Sequence, residues 1–197
     1  HVEAGSGSRL HRRRSASARR GTARMATFDI TIGGHVFTVG THVYGKGGFG
    51  EVLSATDTQT QEALAVKKID TLNPHVNEAM IMRECQNQEA LAHPNVLRIK
   101  AHGPGTGDRS HLYFIFMERA SGGELFHKVT QNGALPEDGA RGYARELFAG
   151  VAHCHSRRIA HLDIKLENVL LTASGVVKII DFGLSHRYDA NADGTAV

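Results

Sequence analysis

Residues 161–171 read HLDIKLENVLL, and residues 176–185, after a short turn, read VVKIIDFGLS. Asp163 and Asn168 stand five residues apart with Lys165 between them, and Asp181 follows thirteen residues after Asn168. Three oxygen-bearing side chains, with a lysine between the first two, are the groups that position a hydroxyl nucleophile beside Mg²⁺ and a nucleoside triphosphate. The pattern therefore predicts a site of that kind on a short loop and on the strand pair that follows it.

A glycine-rich segment precedes this site. Residues 45–52 read GKGGFGEV, which is a G-x-G-x-x-G-x-V pattern between two strand-like segments. Glycine lets a backbone hairpin lie close over phosphates, and its amides can face anionic oxygens. A Rossmann nucleotide site would need a helix after the glycines, and the strand-like EVLSAT that follows argues against one. The structural alternative is a glycine-rich hairpin turn without a ligand.

A lysine that ends an apolar strand is the next signal. Lys67 closes the segment LAVK, fifteen residues after Val52. A buried lysine is costly unless an anionic partner compensates it. Glu84 is our candidate partner, although Glu78 and Glu89 lie on the same helical stretch and spacing alone does not exclude them. Such an ion pair would orient the lysine toward the α- and β-phosphates, whereas two unrelated surface charges are the alternative.

The first part of the chain is predicted to be a small sheet with one helix. From residue 28, short alternating segments separated by glycines or polar turns predict an antiparallel meander. Residues 78–91 have helix-forming composition, and HPNVLRI and HLYFIFME predict two further strands. The glycine-rich SGGE at residues 121–124 is expected to end this unit.

The second part is predicted to be mainly helical. A long amphipathic helix is expected over residues 137–156, and its Leu147, Val151 and Cys154 share one face that should lie in the core. The fold class is therefore α+β. Cys85 and Cys154 have no paired or metal-ligand spacing, which favours a reducing, intracellular compartment.

The first residues differ in composition from the rest. Residues 1–24 contain seven arginines and one acidic residue, which leaves 16 basic and 19 acidic residues in the remainder. We expect residues 1–27 to form a disordered Arg/Ser-rich tail. An organelle transit peptide, a nuclear localisation patch, an anchor for anionic surfaces and a solvated or mistranslated leader are the open alternatives. Because the basic charge belongs to this tail, the sequence argues against a nucleic-acid partner for the whole chain.

Together and in this order, the motifs resemble the eukaryotic protein kinase family over residues 38–197. The phrases ASGGELF, CHSRRIAHLDIKLENVLL and KIIDFGLS are similar to the calmodulin-dependent and sucrose-nonfermenting-related serine/threonine kinases. The resemblance implies a protein-kinase-like fold with a five-stranded antiparallel N-lobe carrying one helix, over residues 28–120, and a mainly helical C-lobe from residue 121. It also implies ATP and Mg²⁺ as cofactors and transfer of the γ-phosphate to a serine or threonine hydroxyl of a protein substrate, with Lys165 as the serine/threonine signature.

The resemblance assigns roles to individual residues. Asp163 would accept the proton of the substrate hydroxyl, and Lys165 would stabilise the γ-phosphate. Lys67 would bind the α- and β-phosphates and pair with Glu84, while the metal ligands would be Asn168 and Asp181. The residues expected around ATP are Gly45, Lys46, Gly47, Gly48, Phe49, Gly50, Val52, Ala65, Lys67, Met117, Glu118, Ala120, Glu124 and Leu170.

Within that set the positions differ in what they would contact. The adenine would lie between Val52, Ala65 and Leu170. Met117 resembles the gatekeeper, and the backbone of residues 118–120 the adenine-binding hinge. Glu124 resembles the acidic residue that contacts ribose or a basic side chain of the substrate.

Two residues depart from the family pattern. Leu162 replaces the arginine of the H-R-D motif, which normally pairs with a phosphorylated activation loop, so the resemblance implies activity independent of that switch or a weakened enzyme. Gln88 occupies a position where a hydrophobic residue is expected, so a polar group is expected to enter the core beside Phe182.

The resemblance also concerns the end of the sequence. Gly194 and Thr195 resemble the G-T that precedes the family's P+1 loop, and no A-P-E follows. We therefore expect residues 121–197 to be a partial C-lobe, and the chain to be a fragment that alone binds nucleotide weakly and phosphorylates poorly or not at all. A non-catalytic pseudokinase or scaffold module is the alternative function. We further expect a monomer without a membrane span, in the cytoplasm, with the nucleus or organelle import through the Arg-rich tail left open.

Overall fold

The computed structural model describes residues 26–47 and 50–189 of the chain. Residues 1–25 of the predicted tail over residues 1–27, and the segment with Gly194 and Thr195, lie outside the described residues. Within them, the strands and helices follow the α+β order that the sequence predicts. The strands are β1 Phe28–Ile32, β2 His35–Gly47, β3 Gly50–Asp57, β4 Ala63–Asp70, β5 Ile99–Pro104, β6 Leu112–Glu118, β7 Ile159–Ala160, β8 Val169–Leu171, β9 Val177–Ile179 and β10 His186–Arg187; the helices are α1 Glu78–Glu89, α2 Leu125–Asn132 and α3 Glu137–Ser156.

The first six strands form one antiparallel sheet in the order β1-β2-β3-β4-β6-β5. The sheet thus has six strands, not the five that the resemblance implied. The additional strand β1 precedes the region that resembles the kinase family. It turns into β2 at Gly33 and Gly34, whose φ angles of 58° and 82° suit a tight two-residue hairpin turn. Ile30 of β1 is buried in the same apolar cluster as Phe37 and Phe116, which explains why the strand joins the sheet.

Two segments of the sheet differ from the sequence-based prediction. HVFTVG and THVYG form one long strand, β2, with irregular register between Val39 and Gly45. The prediction of a strand over HPNVLRI, residues 93–99, is wrong except at its last residue, because β5 begins only at Ile99. The backbone of Asn95 and Leu97 bonds instead to Ile179 of β9, so this segment ties the sheet to the second part of the chain.

Helix α1 packs on the sheet where the sequence predicts a helix. The side chain of Asn77 accepts a hydrogen bond of 2.8 Å from the backbone N–H of Met80 and so caps the first turn. Ile81 and Cys85 are buried against Ile69 and Ile115 of the sheet. The helix ends at Glu89, two residues earlier than predicted, with Ala90 as its C-cap.

Helix α3 has the predicted bounds and the predicted core face. Cys154 is buried, and Leu147 and Val151 pack against the same cluster as Phe182. The acidic pair at the start of α3 favours a helix N-terminus. Among the described residues, none of the helices combines the length and the apolar character needed to cross a bilayer.

We predict that Gly122→Ala destabilises the fold by about 1–3 kcal/mol through overpacking. Its N–H donates to the carbonyl of Leu171 at 2.7 Å, and an added Cβ would overlap the carbonyl oxygen of Thr172. The matched control is Gly139→Ala in α3, where an added Cβ meets nothing within 4 Å. Because alanine favours helices, this control should stabilise the protein by up to about 1 kcal/mol. Chemical denaturation compares the two, and equal effects of both variants would contradict the predicted contact.

Candidate active site

The three predicted acidic residues Glu84, Asp163 and Asp181 line one cavity of about 180 Å³. Glu84 reaches it from helix α1, Asp163 from the loop after β7, and Asp181 from the segment after β9. The rest of its lining is mostly apolar and comes from β4, from α1 and the segment before it, and from the segment after Asp181: Ile69, Val76, Met80, Ile81, Gly183 and Leu184. The cavity therefore lies where the sheet, its helix and the second part of the chain meet.

Lys67 forms an ion pair with Glu84. Its Nζ donates to Oε1 of Glu84 at 2.6 Å, and the exposed fractions of the two side chains are 19% and 11%. Lys67 lies on β4, whose neighbours in the sheet are β3 and β6, while Glu84 is buried on α1. Glu89 contacts His102 instead, so the structure selects Glu84 among the glutamates that spacing alone left open.

The same lysine faces Asp181, with 3.8 Å between Nζ and Oδ1. Asp181 has a φ of 62°, a left-handed conformation that aspartate tolerates better than most residues. Its Oδ1 also accepts a hydrogen bond of 3.3 Å from the backbone N–H of Gly183. The carboxylate is thus held beside Lys67 while its side chain remains 48% exposed, accessible to a ligand.

The loop after β7 joins Asp163, Lys165 and Asn168. Nζ of Lys165 donates to Oδ2 of Asp163 at 2.8 Å, and Nδ2 of Asn168 donates to the same oxygen at 2.8 Å and to the carbonyl of Asp163 at 2.9 Å. The hydrogen bond from Lys165 is the main reason why the pKa of Asp163 lies below its ordinary value. Asp163 is therefore ionised at neutral pH, with an oxygen that can accept a hydrogen bond from a hydroxyl group.

The ring of His161 forms hydrogen bonds with the backbone of this loop and with that of the residue before Asp181. One ring nitrogen, Nδ1, accepts from the backbone N–H of Asp163 at 3.2 Å, and Nε2 donates to the carbonyl of Ile180 at 2.9 Å. The ring lies edge-on to Phe182, with 4.6 Å between the ring centroids. Burial is the main cause that lowers the pKa of His161. The neutral imidazole therefore connects the loop of Asp163 with the segment of Asp181.

The glycine-rich hairpin connects β2 and β3 and lies next to β4, the strand of Lys67. Gly45 pairs with Val52 and Lys46 with Glu51 across β2 and β3, and Gly47 pairs with Gly50. Gly48 and Phe49 lie outside the described residues. Glu51 pairs with Lys46 at 3.8 Å and with Lys68 at 2.5 Å, which keeps the two strands in register close to the tip.

The expected adenine contacts come from neighbouring strands. Val52 on β3 pairs with Lys67 on β4, and Ala65 on β4 pairs with Met117 on β6. Val52 and Ala65 therefore both lie close to Lys67, one on the neighbouring strand and one on the same strand. Leu170 lies on β8 and forms a bridge with Glu124, the residue that precedes α2. All five residues are half-buried, and the carboxylate of Glu124 lies 3.1 Å from Nδ1 of His127.

Glu118 has a connection that sequence reasoning missed. Its Oε1 accepts from Nζ of Lys178 on β9 at 2.8 Å and from the backbone N–H of Arg98 at 2.8 Å. The side chain is therefore occupied, and the backbone of residues 118–120 is the part that can face a ligand. Another missed residue is Glu146 of α3, which accepts from the backbone N–H of Val177 at 2.7 Å. No local motif indicates these contacts, because they join residues 20 to 60 positions apart.

The two departures from the family pattern have clear positions. Leu162 is 66% exposed and has a φ of 65°, a left-handed conformation that is uncommon for leucine. Gln88 is buried as expected, and its Nε2 donates to the carbonyl of Leu97 at 2.8 Å. The buried amide is thus satisfied and anchors α1 to the segment before β5.

Comparison with known proteins agrees with this geometry. The model of the protein kinase domain matches residues 38–197. The chain is 41% identical over 143 residues to CBL-interacting protein kinase 31 of Oryza sativa subsp. japonica, which covers 72% of this chain and 31% of that protein. It is 40% identical to the abscisic acid-inducible protein kinase of Triticum aestivum, over 72% of this chain and 41% of that protein. It is 38% identical to CBL-interacting serine/threonine-protein kinase 9 of Arabidopsis thaliana, over 72% and 31%.

A lysine–glutamate pair between sheet and helix, with a loop aspartate and a second aspartate after a strand pair, is the arrangement that protein kinases share. The chain belongs to the protein kinase family. It spans about a third of the length of the CBL-interacting relatives that it matches.

We predict that the free energy of unfolding decreases as the pH falls below about 6.5, the ordinary histidine value. Burial lowers the pKa of His161 in the folded state, so the unfolded state binds the proton first. The stability is fully present above that pH and is lost as the pH approaches the folded-state pKa. His161→Leu should flatten this dependence between pH 7 and 5, measured by chemical denaturation. Part of the slope should persist, since burial also lowers the pKa of His153; an unchanged slope would contradict the assignment.

Proposed function

We propose that the protein is an ATP-dependent serine/threonine protein kinase that transfers the γ-phosphate of ATP to a protein hydroxyl. The observation that carries the proposal is the position of Lys67, which lies between Glu84 at 2.6 Å and Asp181 at 3.8 Å. Asp163 lines the same cavity as both carboxylates. One cation for phosphates, one carboxylate for a metal and one for a hydroxyl are the groups that phosphoryl transfer needs.

The donor set fits Mg²⁺. The nitrogen of the Asn168 amide donates to Asp163, which leaves the amide oxygen to face a cation. Asp181 supplies a partly exposed carboxylate. Mg²⁺ prefers oxygen ligands and is commonly bound by one or two carboxylates together with substrate phosphates. Asn168 and Asp181 would therefore hold Mg²⁺, which would neutralise charge on the transferred phosphoryl group.

The other residues of the site orient the reactants. Asp163 is ionised and would accept a hydrogen bond from the substrate hydroxyl and then its proton, while Lys165 beside it would contact the γ-phosphate. Lys67, fixed by Glu84, would hold the α- and β-phosphates. The names of the similar serine/threonine kinases and the lysine at position 165 support a serine or threonine substrate.

We also propose a monomer in the cytoplasm as the working form. In support of the monomer, the described residues of the site all come from one chain, so a second copy is not needed to supply them. Measuring the molecular mass of the full-length protein in solution tests whether it is a monomer. Fluorescent fusions with and without residues 1–24 test its location, because import through the Arg-rich segment would disappear with its deletion.

We predict that Asp163→Asn lowers phosphotransfer by the full-length protein about 10²- to 10⁴-fold, the range typical of a lost general base. The affinity for Mg-ATP should stay within a few-fold, because Asp163 contacts the hydroxyl and not the nucleotide. Radiolabelled phosphate transfer and calorimetric nucleotide titration measure the two quantities. Asp108→Asn, on an exposed turn far along the chain from the site, is the matched control. Undiminished transfer in Asp163→Asn would reject Asp163 as the base. Nucleotide binding without transfer in the unmodified protein would reject the kinase proposal in favour of a pseudokinase.

We predict a different result for Asp181→Asn. Because this carboxylate is assigned to the metal, the variant should lose the gain in ATP affinity that Mg²⁺ produces, while Asp163→Asn should keep most of that gain. Nucleotide titrations with Mg²⁺ and with a chelator give the comparison. An unchanged Mg²⁺ effect in Asp181→Asn would show that the metal is bound elsewhere.

A further inference from the structure

A hydrogen-bonded group behind helix α1 has no role in the site described so far. His102 of β5 and Tyr113 of β6 are hydrogen-bonded, with 2.7 Å between Nδ1 and the phenolic oxygen. The Tyr113 hydroxyl donates to Sδ of Met82 at 3.4 Å, and Nε2 of His102 lies 3.2 Å from Oε1 of Glu89. Because Met82 and Glu89 both belong to α1, these four residues join two strands to one helix. We call them the His102 network.

The network contacts α1 at two points. Met82 and Glu89 are seven residues apart, which is about two helical turns or roughly 10 Å along the axis. Glu84 lies between them in the same helix, two residues after Met82. The hydrogen bond to Met82 and the contact with Glu89 therefore connect the helix to the sheet at two points along its axis.

The surroundings of the network are apolar. Tyr113 is buried in the cluster that contains Ile81, Cys85 and Ile115, and Met82 packs against this cluster. Burial raises the pKa of Tyr113 to about 12, so the hydroxyl keeps its proton at any ordinary pH. The side chain of His102 is 16% exposed, and that of Glu89 is 46% exposed. The polar contacts are thus embedded beside the apolar contacts that hold α1.

Apolar packing alone leaves the register of α1 weakly defined. Dispersion contacts depend little on direction, whereas hydrogen bonds weaken steeply when their geometry is disturbed. The 2.6 Å contact between Lys67 and Glu84 depends on the position of the helix that carries Glu84. The hydrogen bond from Tyr113 to Met82 is a directional contact on that helix.

We propose that His102, acting through Tyr113 and Glu89, is a positioning residue that fixes α1 so that Glu84 can orient Lys67. This inference rests on the proposed function, in which Lys67 binds the phosphates of ATP. His102 does not touch the reactants; its effect is transmitted by helix α1. The network would therefore set the fraction of molecules in which the Lys67–Glu84 pair is formed.

A double-mutant cycle on the full-length protein tests the proposal. The variants are His102→Leu, Glu84→Gln and their combination, and the quantity measured is kcat/KM for ATP. We expect His102→Leu to lower kcat/KM about 5- to 20-fold in the unmodified background and less than twofold in the Glu84→Gln background. Non-additivity of this size marks residues that act through one shared contact. A general loss of folded protein would instead lower activity by the same factor in both backgrounds.

Tyr113→Phe is the second variant, because it removes only the hydroxyl and keeps the ring in the core. It should repeat the dependence on Glu84 even where His102→Leu lowers the melting temperature. Thr58→Val is the matched control: it removes a hydrogen bond of 2.8 Å to the carbonyl of Val36 at the other end of the sheet and should not depend on Glu84.

The outcomes separate this inference from the proposed function. Additive effects, or no effect of His102→Leu and Tyr113→Phe, would overturn the positioning role while Glu84→Gln still impairs the enzyme. If Glu84→Gln itself has no effect, the assigned role of the Lys67–Glu84 pair fails and the positioning role fails with it.

Discussion

The contact between Lys67 and Glu84 is the interaction on which the remaining features of the site depend. It spans 2.6 Å, and it forms only if β4 is inside the sheet and α1 is packed on it. The same ammonium group faces Asp181 at 3.8 Å, so one positive charge lies between two carboxylates from different parts of the chain. This local excess of negative charge suits a divalent cation, which in turn attracts phosphate oxygens.

In the loop after β7, a carboxylate is likewise paired with a lysine. Lys165 compensates the charge of Asp163, and the amide of Asn168 orients its carboxylate. The backbone N–H of Asp163 donates to Nδ1 of His161. In the proposed function, an oxygen of Asp163 would accept a hydrogen bond from a hydroxyl group, and the amide oxygen of Asn168 would bind a metal ion. The hydrogen bond from His161 to the carbonyl of Ile180 couples this loop to the segment of Asp181. Asp163 and Asp181 are therefore connected through His161, which bonds to the backbone of both segments, and not by a single helix or strand.

Local patterns predicted the elements well and the long-range contacts poorly. The bounds of α3 followed from apolar spacing and acidic residues at its start, and the order of the motifs indicated the site before any contact was known. The choice of Glu84 over Glu78 and Glu89 needed the packing of α1, which spacing does not contain. The segment around Asn95 was taken for a strand because its apolar residues suit one, but its backbone bonds to Ile179, more than eighty residues away. The bond between His102 and Tyr113 likewise joins separate strands and has no sequence signature.

The most direct test of the central claim is the chemical reactivity of Lys67 with and without Mg-ATP. Amine-selective labelling followed by mass spectrometry would compare Lys67 with Lys100, which pairs with Glu62 on the outside of the sheet. If Lys67 receives the phosphates, Mg-ATP should protect it strongly and leave Lys100 unchanged. Equal labelling of Lys67 in the presence and absence of Mg-ATP, under conditions where nucleotide is bound, would contradict the account.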